Sequence, residues 1–417
     1  MKVAHITISA SGGAGIAAGR SVAALREVGI EAELWTADPP DEGGRRVRSP
    51  RWSGWRGRID RWPLWRYPRR CFFSEWSNSV LPSRIARTVK RSAPDLVHLH
   101  WLGGGFVRVE ELKRFPMPIV WTLHDTWPLT GGCHYPDDCR RFAAGCGSCP
   151  QLSSTIGDDL SARNFSRKRR AFAGVSRWIA PSIWIRDLAR QSPLAAGSQV
   201  EIVPNGLDGT VFRPGDRASA RRRLELPENA VVFAAGAVDL RERRKGAHFL
   251  PEAVRLAQHR LGRPCILVVF GRGVAGSAES RLNTRALGPI EDPAKLAAVY
   301  RAADLLLLPS TQDNLPNIAV EALACGCPTV AFDSGGIRDI VRDDVTGELV
   351  SEQSAASLAE AAVRWITRGR PAEMVAVECR SHFETNFSYA VHARRLRLVY
   401  ETVLDTTGEQ PPLPSCS

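Results

Sequence analysis

The fold is decided in large part by the stretch ADLLLLPSTQDNLPNIAVEALACGCPTVAFDS, residues 303–334. The runs at 303–310 and 328–334 are short, apolar and bounded by turn formers, which predicts two buried strands. Between them, Pro316 suits the first turn of a helix that continues as NIAVEALACG. A strand, a helix and a second strand make the βαβ unit of a parallel sheet.

The same alternation runs through both halves of the chain. Apolar runs that predict further parallel strands are KVAHITIS, DLVHLHW, PIVWTLHD and RWIAPS in the first half, and AVVFAAGAV and CILVVFG in the second. Helical stretches such as AGIAAGRSVAALREVG and DPAKLAAVYRAA separate them. Two successive series of this kind predict an α/β protein with two Rossmann-like, doubly wound domains.

The chain has 417 residues, which is more than one hydrophobic core usually supports. Turn formers cluster and periodicity lapses in VPNGLDGTVFRPGD, so we place an N-terminal domain at 1–205 and a second domain at 206–385. For 386–417 we expect a helix that crosses back to the first domain, followed by a tail. Ligands bind beyond the carboxyl ends of parallel strands, so both sheets could face a central cleft.

Several functional classes are disfavoured by composition. No apolar run approaches the length of a membrane span, and the start MKVAHITIS lacks the features of a secretory signal. We therefore expect a cytoplasmic protein. Ten cysteines in so large a chain do not suggest a disulfide scaffold, because cytosolic thiols stay reduced.

Much of the formal charge of +12 comes from residues 45–70, where arginines alternate with tryptophans. The four tryptophans are Trp52, Trp55, Trp62 and Trp65. Guanidinium groups pair with phosphates and indoles settle at the headgroup level, so the segment suits an anionic membrane surface. The alternative is a solvated basic loop whose tryptophans pack on the domain. No recognised nucleic-acid motif accompanies the segment, so we expect no nucleic-acid partner.

A glycine-rich loop follows the first predicted strand. Gly12, Gly13 and Gly15 would let backbone amides approach a ligand at a helix N-terminus, although a tight turn without a ligand explains them equally simply. Their spacing does not match the dinucleotide fingerprint, and no suitably placed acidic residue follows. We therefore discount a nicotinamide cofactor.

Charged residues follow two predicted strands of the second domain. The stretch RERRKG, residues 241–246, could neutralise a pyrophosphate, and Asp313 and Glu321 could hold a ribose and a hexose on either side of it. Such a set would bind a nucleotide sugar. The alternatives are a solvated charged turn at 241–246, a loop acid at Asp313 and a surface helix residue at Glu321.

Taken together, these motifs resemble the retaining glycosyltransferases of family four, which have the GT-B fold. The motifs that carry the resemblance are the glycine loop at 11–15, DLVHLHW, TLHDTW, APS, VPNGLD, RRKG, VVFGRG, LGPIEDPAKLAAVYRAADLLLLPS, and Asp313 followed eight positions later by Glu321 and then ALACGCPTVAFDSGG. The first half, especially TLHDTWPLTGGCHY, is most similar to bacterial exopolysaccharide transferases of the colanic-acid type.

The resemblance implies roles for individual residues. Glu321 would bind the ribose hydroxyls, Asp313 the donor sugar and Lys245 the diphosphate. His124 matches the family histidine that contacts the donor hexose near the reacting carbon, and the adjacent Asp125 would contact the acceptor. The other donor contacts implied are Gly12, Gly13, Arg241, Arg243, Arg244, Gly271, Asn317 and Ile318.

Two positions depart from the family pattern. The family usually begins its signature with glutamate where this chain has Asp313, so the donor-sugar contact can differ. Many members also carry an arginine after the glycine that ends the first strand of the second domain, where this chain has Ala237. Arg241, Arg243 or Arg244 would have to supply that charge.

The reaction that the resemblance implies is transfer of a sugar from a nucleotide diphosphate to an acceptor with retention of configuration. The departing phosphate would take the acceptor's proton, while fixed cations and helix-terminal amides stabilise its charge. No divalent cation or other cofactor is required in that scheme. The acceptor would be a glycan or a polyprenyl-linked oligosaccharide in exopolysaccharide synthesis, and segment 45–70 could hold the enzyme at the inner leaflet of the membrane.

A cysteine array lies within the turn-rich stretch 131–150. Cys133, Cys139, Cys146 and Cys149 have the spacing C-x5-C-x6-C-x2-C. Four soft ligands in a reducing compartment suggest a structural zinc ion that staples a loop without a core of its own. Free thiols or disulfides are the alternatives, and His134 could replace one thiolate.

Two other functions compete with a transferase. A nucleotide-sugar epimerase of the same architecture would release an altered sugar and need no acceptor. A non-catalytic membrane-binding or nucleic-acid-binding protein would instead use segment 45–70 and the cysteine array. The set of residues predicted to bind a donor argues against the second alternative.

Overall fold

The computed structural model of the protein describes residues 1–37, 45–46, 53–71, 75–273 and 283–408. The chain forms two compact units, one from Met1–Val203 with His392–Ser417 and one from Pro204–Val391. We call them unit 1 and unit 2. Each contains one parallel sheet with helices, so the predicted α/β class with two doubly wound sheets is confirmed.

Unit 1 contains seven parallel strands in the order β3-β2-β1-β4-β5-β6-β7. The order reverses at β1 and β4, which is the doubly wound arrangement of a Rossmann-like sheet. The strands are β1 Lys2–Ile6, β2 Glu31–Thr36, β3 Arg45–Arg46, β4 Leu96–Leu99, β5 Ile119–Thr122, β6 Val175–Ala180 and β7 Val200–Ile202. The helices are α1 Gly12–Glu27, α2 Ser53–Asp60, α3 Ile85–Ser92, α4 Leu160–Ala171 and α5 Ile183–Gln191, joined by α12 Tyr389–Gly408 from the C-terminal segment.

Side-chain alternation divides the sheet of unit 1 into two buried faces. On β1, Val3 faces a cluster that includes Val22 of α1 and Leu396 of α12, whereas Ala4 faces the opposite cluster around Trp121. Because α12 supplies buried residues to the first cluster, the C-terminal segment completes the core of unit 1. The carboxyl ends of β1, β4 and β5 lie side by side in the middle of this sheet.

Unit 2 contains six parallel strands in the order β10-β9-β8-β11-β12-β13. The strands are β8 Val231–Asp239, β9 Cys265–Arg272, β10 Thr284–Gly288, β11 Leu305–Leu308, β12 Thr329–Phe332 and β13 Gly347–Val350. The helices are α6 Arg217–Arg223, α7 Leu250–Leu261, α8 Pro293–Ala302, α9 Asn317–Ala324, α10 Ala355–Thr367 and α11 Ala372–Asn386. One continuous apolar cluster fills this unit, and β8 and β11 pair at its centre.

The strands absent from our prediction have a common physical character. β2, β3, β7, β10 and β13 lie at or next to sheet edges, and each contains a charged residue, so they lack the continuous apolar run of a central strand. Within the described residues, no helix is long and apolar enough to cross a membrane.

Candidate functional site

The loops that follow β8 and β11 meet at the carboxyl edge of the sheet in unit 2. Thr311 donates a backbone hydrogen bond to the carbonyl of Arg244 at 2.8 Å, and the Arg244 guanidinium reaches the carbonyl of Gln312 at 3.2 Å. Gly246 has φ of 68°, and a Cβ there would stand 1.8 Å from the carbonyl oxygen of Pro309. Only glycine permits this approach, which explains why a glycine ends the basic loop.

The approach of the two loops brings Lys245 and Asp313 together. Lys245 Nζ donates to Asp313 Oδ2 at 2.5 Å, and Arg244 Nη1 lies 3.6 Å from Asp313 Oδ1. The Asp313 residue is only 5% exposed. Burial alone would raise the pKa of this carboxyl group, but the charges of Lys245 and Arg244 outweigh burial and hold it below its usual value. Asp313 is therefore ionised at neutral pH, and two cations stand beside it.

Glu321 lies in the second turn of α9 and is buried. Its Oε2 accepts a hydrogen bond from the hydroxyl of Tyr300 in α8 at 2.9 Å, which fixes the direction of the carboxylate. Asn317 and Ile318 form the first turn of the same helix, and no side chain caps that turn. A helix N-terminus of this kind favours an anion, because its amides and dipole both point toward it.

The remaining residues predicted in unit 2 lie elsewhere around this edge. Arg241 turns back to Asp239, with 2.6 Å between Nη2 and Oδ2, and Arg243 is exposed. Gly271 has φ of 117°, and a Cβ would stand 1.8 Å from the carbonyl oxygen of Ala237. Close packing of β9 against β8 therefore explains why residue 271 is a glycine. Of the four basic residues in RERRKG, Arg244 and Lys245 are the two that face Asp313.

In unit 1, the glycine loop leads from β1 into α1. Glycine is favoured at position 12 because φ is 76° there, whereas a Cβ at Gly13 would meet nothing within 4 Å. Gly15 packs against the loop, since a Cβ there would stand 2.3 Å from the carbonyl oxygen of Ser9. Gly12 and Gly13 thus leave open space at the start of the helix.

His124 follows β5 and ends a chain of hydrogen-bonded histidines. His100 Nδ1 lies 2.8 Å from His124 Nε2, and His100 Nε2 lies 2.9 Å from His5 Nδ1. His98 continues the group through Tyr400 of α12, with 2.6 Å between Nδ1 and the hydroxyl. We call these four histidines and Tyr400 the histidine relay.

The histidine relay was missed at the sequence level, where His124 alone was singled out. Alternation in DLVHLHW puts His98 and His100 on one side of β4, which is a signal that the sequence does carry. Their meeting with His5 depends on β1 and β4 being neighbours, which the sequence does not reveal.

The histidines of the relay are neutral at pH 7. Burial lowers the pKa of His5 to about 3 and that of His124 to about 4, and it holds the pKa of His98 and of His100 well below 6.5. A neutral imidazole donates from one nitrogen and accepts at the other. If His100 donates to His124, it must therefore accept from His5, and reversal of one bond reverses the other. The relay thereby couples the tautomer of His124 to that of His5.

Asp125 is held by its surroundings. Its Oδ2 accepts from His134 Nδ1 at 2.7 Å and from Trp101 Nε1 at 2.8 Å, and its Oδ1 accepts from the Trp127 backbone at 2.8 Å. The other ring nitrogen of His134 lies 2.9 Å from the hydroxyl of Ser77. His134 is thus engaged at both nitrogens and is not placed to replace a cysteine as a metal ligand.

Segment 45–70 is described at Arg45–Arg46 and from Ser53 onward, and Trp52 lies outside the described residues. The side chains of Trp55, Trp62 and Trp65 are 64%, 66% and 75% exposed. They do not pack on the domain, so that part of the alternative interpretation is wrong for these three residues, whereas a solvated basic segment stays an alternative to membrane contact. Cys133, Cys139, Cys146 and Cys149 line one common cavity in unit 1.

Known structures share this fold. Sucrose-phosphate synthase from Thermosynechococcus elongatus superposes with a TM-score of 0.69 at 19% identity, over 97% of this chain and 99% of that chain. HepE of Anabaena in complex with UDP-glucose superposes with a TM-score of 0.66 at 18% identity, over 96% and 100%. The fold is that of the GT-B glycosyltransferases.

Both units also match glycosyltransferase family models. Residues 11–210 match Glycosyltransferase Family 4, and residues 229–368 match Glycosyl transferases group 1. The first match lies in the N-terminal half of the chain and the second in the C-terminal half, so each half is similar to one of these two glycosyltransferase families.

Among curated proteins, a D-inositol 3-phosphate glycosyltransferase of Nocardia farcinica is 31% identical over 67% of this chain and 61% of its own length. The putative colanic acid biosynthesis glycosyl transferase WcaC of Escherichia coli is 28% identical over 67% of this chain and 69% of its own. The chain thus spans about three fifths of the first of these relatives.

Proposed function

We propose that this protein is a retaining glycosyltransferase that moves a sugar from a nucleoside diphosphate sugar to a glycan or polyprenyl-linked oligosaccharide in exopolysaccharide synthesis. The observation that carries the proposal is the grouping of Arg244 and Lys245 around Asp313, next to the uncapped start of α9 and the fixed carboxylate of Glu321. The family matches and the UDP-glucose complex of HepE support a nucleotide-sugar donor.

The donor's diphosphate would lie against Lys245, Arg244 and the first turn of α9. Its two negative charges would share the cations with Asp313, whose lowered pKa shows that they already favour an anion. Glu321 would accept hydrogen bonds from the two ribose hydroxyls, because Tyr300 leaves its carboxylate oriented but still able to accept more bonds. Asp313 would contact the sugar, as the resemblance implies.

Transfer would proceed on one face of the sugar. The bond from the anomeric carbon to the phosphate oxygen breaks, the bond from that carbon to the acceptor oxygen forms, and the acceptor's proton passes to the leaving phosphate. Lys245 and Arg244 would stabilise the charge that develops on the phosphate. Because these cations are fixed, we propose that no divalent cation is needed, and activity should survive EDTA.

On the side of unit 1, we propose that His124 donates a hydrogen bond to a hydroxyl of the transferred sugar. The relay behind it would select the tautomer that can donate. For Asp125 the predicted acceptor contact would compete with three hydrogen bonds that it already accepts. We therefore propose that Asp125 acts mainly by orienting His134 and the loop after His124.

The test is a panel of UDP-, GDP- and ADP-sugars offered to the purified protein, with NMR detection of any free sugar released by slow hydrolysis. Release of the donor's own sugar in its original anomeric form supports a retaining transferase. Lys245→Ala should lower turnover at least about 100-fold, as expected for loss of a charge-stabilising group, and Glu321→Ala should weaken donor binding. Arg223→Ala is the control, since Arg223 is an exposed basic residue on α6 of the same unit and should leave turnover unchanged.

Other outcomes of the panel refute the proposal. A changed sugar with no acceptor would identify an epimerase. If correctly folded protein binds none of the donors, a transferase that uses these nucleotides is ruled out. The non-catalytic alternatives would then be favoured.

We also propose that the exposed Arg/Trp surface binds the anionic inner leaflet. Trp55, Trp62 and Trp65 project from a segment whose fold is fixed, because Asp60 is buried and accepts bonds from the backbone of Asn78 and Val80. The arginines exposed on the same segment are Arg58, Arg61, Arg66, Arg69 and Arg70. Indoles held in place among cations match the headgroup region of a bilayer.

Sedimentation with vesicles tests this surface. The wild type should bind vesicles rich in phosphatidylglycerol and dissociate from them at high salt. It should not bind neutral vesicles. Alanine at Trp55, Trp62 and Trp65 should abolish binding. Alanine at Met374, Val377 and Leu398, which are 55%, 69% and 59% exposed, is the matched control for lost apolar surface. Retained binding by the triple tryptophan variant would refute the proposal.

A further inference from the structure

The segment from Gly131 to Leu152 folds without its own apolar core. The structure describes all of it and shows neither an α-helix nor a sheet strand, only short 3-10 turns at Arg141–Ala144 and Pro150–Leu152. Cys146 and Ser148 adopt positive φ of 63° and 44°, which costs free energy in a residue other than glycine. A segment with this backbone needs an additional constraint to hold its shape.

Four cysteines surround one small cavity at the centre of this segment. Cys133, Cys139, Cys146 and Cys149 all line it, and the cavity has a volume of about 20 Å³. That volume suits a single water-sized particle. Trp76, Pro136 and Phe142 contribute apolar surface to the cavity, and its polar lining beyond the four thiols comes from Thr130, Arg141 and Ser161.

Backbone amides point at two of the sulfur atoms. The Gly131 N–H donates to Cys146 Sγ at 3.2 Å, and the amides of Gln151 and Leu152 hydrogen-bond the Cys149 side chain. Burial raises the pKa of both thiols, and an amide directed at sulfur opposes that rise because it stabilises the negatively charged thiolate. Thiolates are the form in which cysteine binds a metal ion.

A buried lysine stands beside the cysteines. Lys168 is 1% exposed, and its Nζ donates to the carbonyl oxygens of Trp127 at 2.5 Å and Thr130 at 3.0 Å. Carbonyl oxygens carry no formal charge, and burial lowers the pKa of Lys168 to about 7, so its ammonium form is favoured only where negative charge lies nearby. The leading attractive charges around Lys168 would be the thiolates of Cys133 and Cys146. An anionic metal–thiolate centre would supply that charge.

From this cavity and its donors we propose that Cys133, Cys139, Cys146 and Cys149 bind one structural zinc ion. Tetrahedral Zn–S bonds of about 2.3 Å place the sulfur atoms about 3.8 Å apart. In the described structure no three of the four sulfur atoms lie within 4.8 Å of one another, so zinc binding would draw them inward. Three hydrogen-bonding amides and an adjacent ammonium fit the charge of such a centre.

The zinc ion would stabilise the loop that follows the candidate site residue His124. Cys133 pairs with Trp76 in a β-bridge, and His134, the next residue, holds Asp125 through its Nδ1. The Thr126 backbone also donates to the carbonyl of His134 at 3.0 Å. Contraction of the cysteine array would therefore fix the residues next to His124 without the metal ion touching a substrate.

Metal analysis of the purified full chain tests the proposal. Protein expressed in zinc-supplemented medium should contain one zinc per chain, and replacement with Co²⁺ should give the visible absorption bands of tetrahedral thiolate cobalt. Serine at any of the four cysteines should remove the metal. Cys71→Ser is the control, because Cys71 is an exposed cysteine of the same unit and should leave the metal content unchanged.

A second measurement keeps the proposal testable if the serine variants fold poorly. Titration of wild-type protein with a mercurial should release zinc in step with the loss of four thiolates. Peptide mass spectrometry with alkylation should find these cysteines protected before release. Metal-free wild-type protein with four alkylatable thiols, or a disulfide between any two of them, would overturn the proposal.

Discussion

Acidification should unfold unit 1 in a pH range where most proteins are stable. The reason is that His5, His98 and His100 are 0–3% exposed and their pKa values lie far below 6.5. The unfolded chain binds protons at these residues as the pH falls below about 6.5, whereas the folded chain does not. Their contribution to stability is therefore fully present above that pH and is lost as the pH falls toward the folded values.

The size of the effect follows from proton linkage. At about pH 5.5 each unfolded histidine holds about 0.9 proton more than its folded counterpart, which corresponds to about 1.2 kcal/mol per pH unit. Between pH 7 and pH 5 the loss integrates to about 1.9 kcal/mol per histidine and about 6 kcal/mol for the three. A typical domain has only about 5–15 kcal/mol of stability in total.

Tryptophan fluorescence is the appropriate assay, because Trp365 is the one tryptophan of the 12 that falls within 204–391. Urea unfolding followed at pH 7, 6 and 5 should show the free energy of unfolding falling by about 6 kcal/mol. His98→Gln should reduce that fall by about 2 kcal/mol. His259→Gln, at an exposed histidine, should leave the fall unchanged.

The result that would refute the reasoning is a pH dependence of His98→Gln equal to that of the wild type. A wild-type fall below about 2 kcal/mol would refute it as well, because it would mean that the relay is protonated in the folded protein. Loss of hydrogen bonds in His98→Gln changes the free energy of unfolding equally at every pH. The test therefore depends on how that free energy changes with pH and not on its absolute value.

Three further outcomes can be measured in unit 2. Gly246→Ala should destabilise the protein by about 2–5 kcal/mol, whereas Gly262→Ala should cost only about 1–2 kcal/mol. Both glycines have positive φ (68° and 64°), but only at Gly246 would the added Cβ meet a carbonyl oxygen, at 1.8 Å. Thermal unfolding compares the two variants, and equal losses of stability would contradict the steric argument. Asp313→Asn should weaken amide protection in α9 relative to the wild type above about pH 4. The difference between the two proteins should disappear as the pH falls further, because protonation of the wild-type Asp313, whose pKa lies below its usual value, removes the contribution of its charge. Hydrogen exchange at pH 5 and pH 3 measures this difference, and a difference that is independent of pH would contradict the reasoning. Glu321→Gln keeps the shape and the bond from Tyr300 but loses the charge, so calorimetry should find nucleoside diphosphate affinity lowered about 10- to 150-fold; unchanged affinity would exclude a ribose contact.

The central strands could be predicted because their sequences are continuous apolar runs. LLLL in β11 and TVAF in β12 are buried at every position, which leaves no other place for them than the middle of a parallel sheet. β2 was not predicted, because EAELWT mixes charged and apolar residues along a strand whose burial is uneven. The class of fold thus follows from the sequence, while the extent of each sheet does not.

The candidate site was predictable only to the level of residue types at strand ends. The loop positions of Lys245 and Asp313 follow from the sequence, but their 2.5 Å pair depends on β8 and β11 being neighbours, although 68 residues separate the two side chains. Assigning Lys245 to a phosphate and Asp313 to a sugar treated them as separate contacts. The structure shows Lys245 and Asp313 as one ion pair, so a donor would have to contact the two residues together.

The position of Tyr400 in the histidine relay has a consequence for how the protein is made. His5 lies in β1, and Tyr400, which contacts it at 3.4 Å, follows 395 residues later. At a synthesis rate of about 5–20 residues per second, the face of β1 and β4 that packs against α12 stays without its helical cover for about 20–80 seconds. Unit 2 is complete before that cover arrives. Nascent unit 1 is therefore a natural client for chaperones, and truncation of α12 should yield aggregated protein with a folded unit 2.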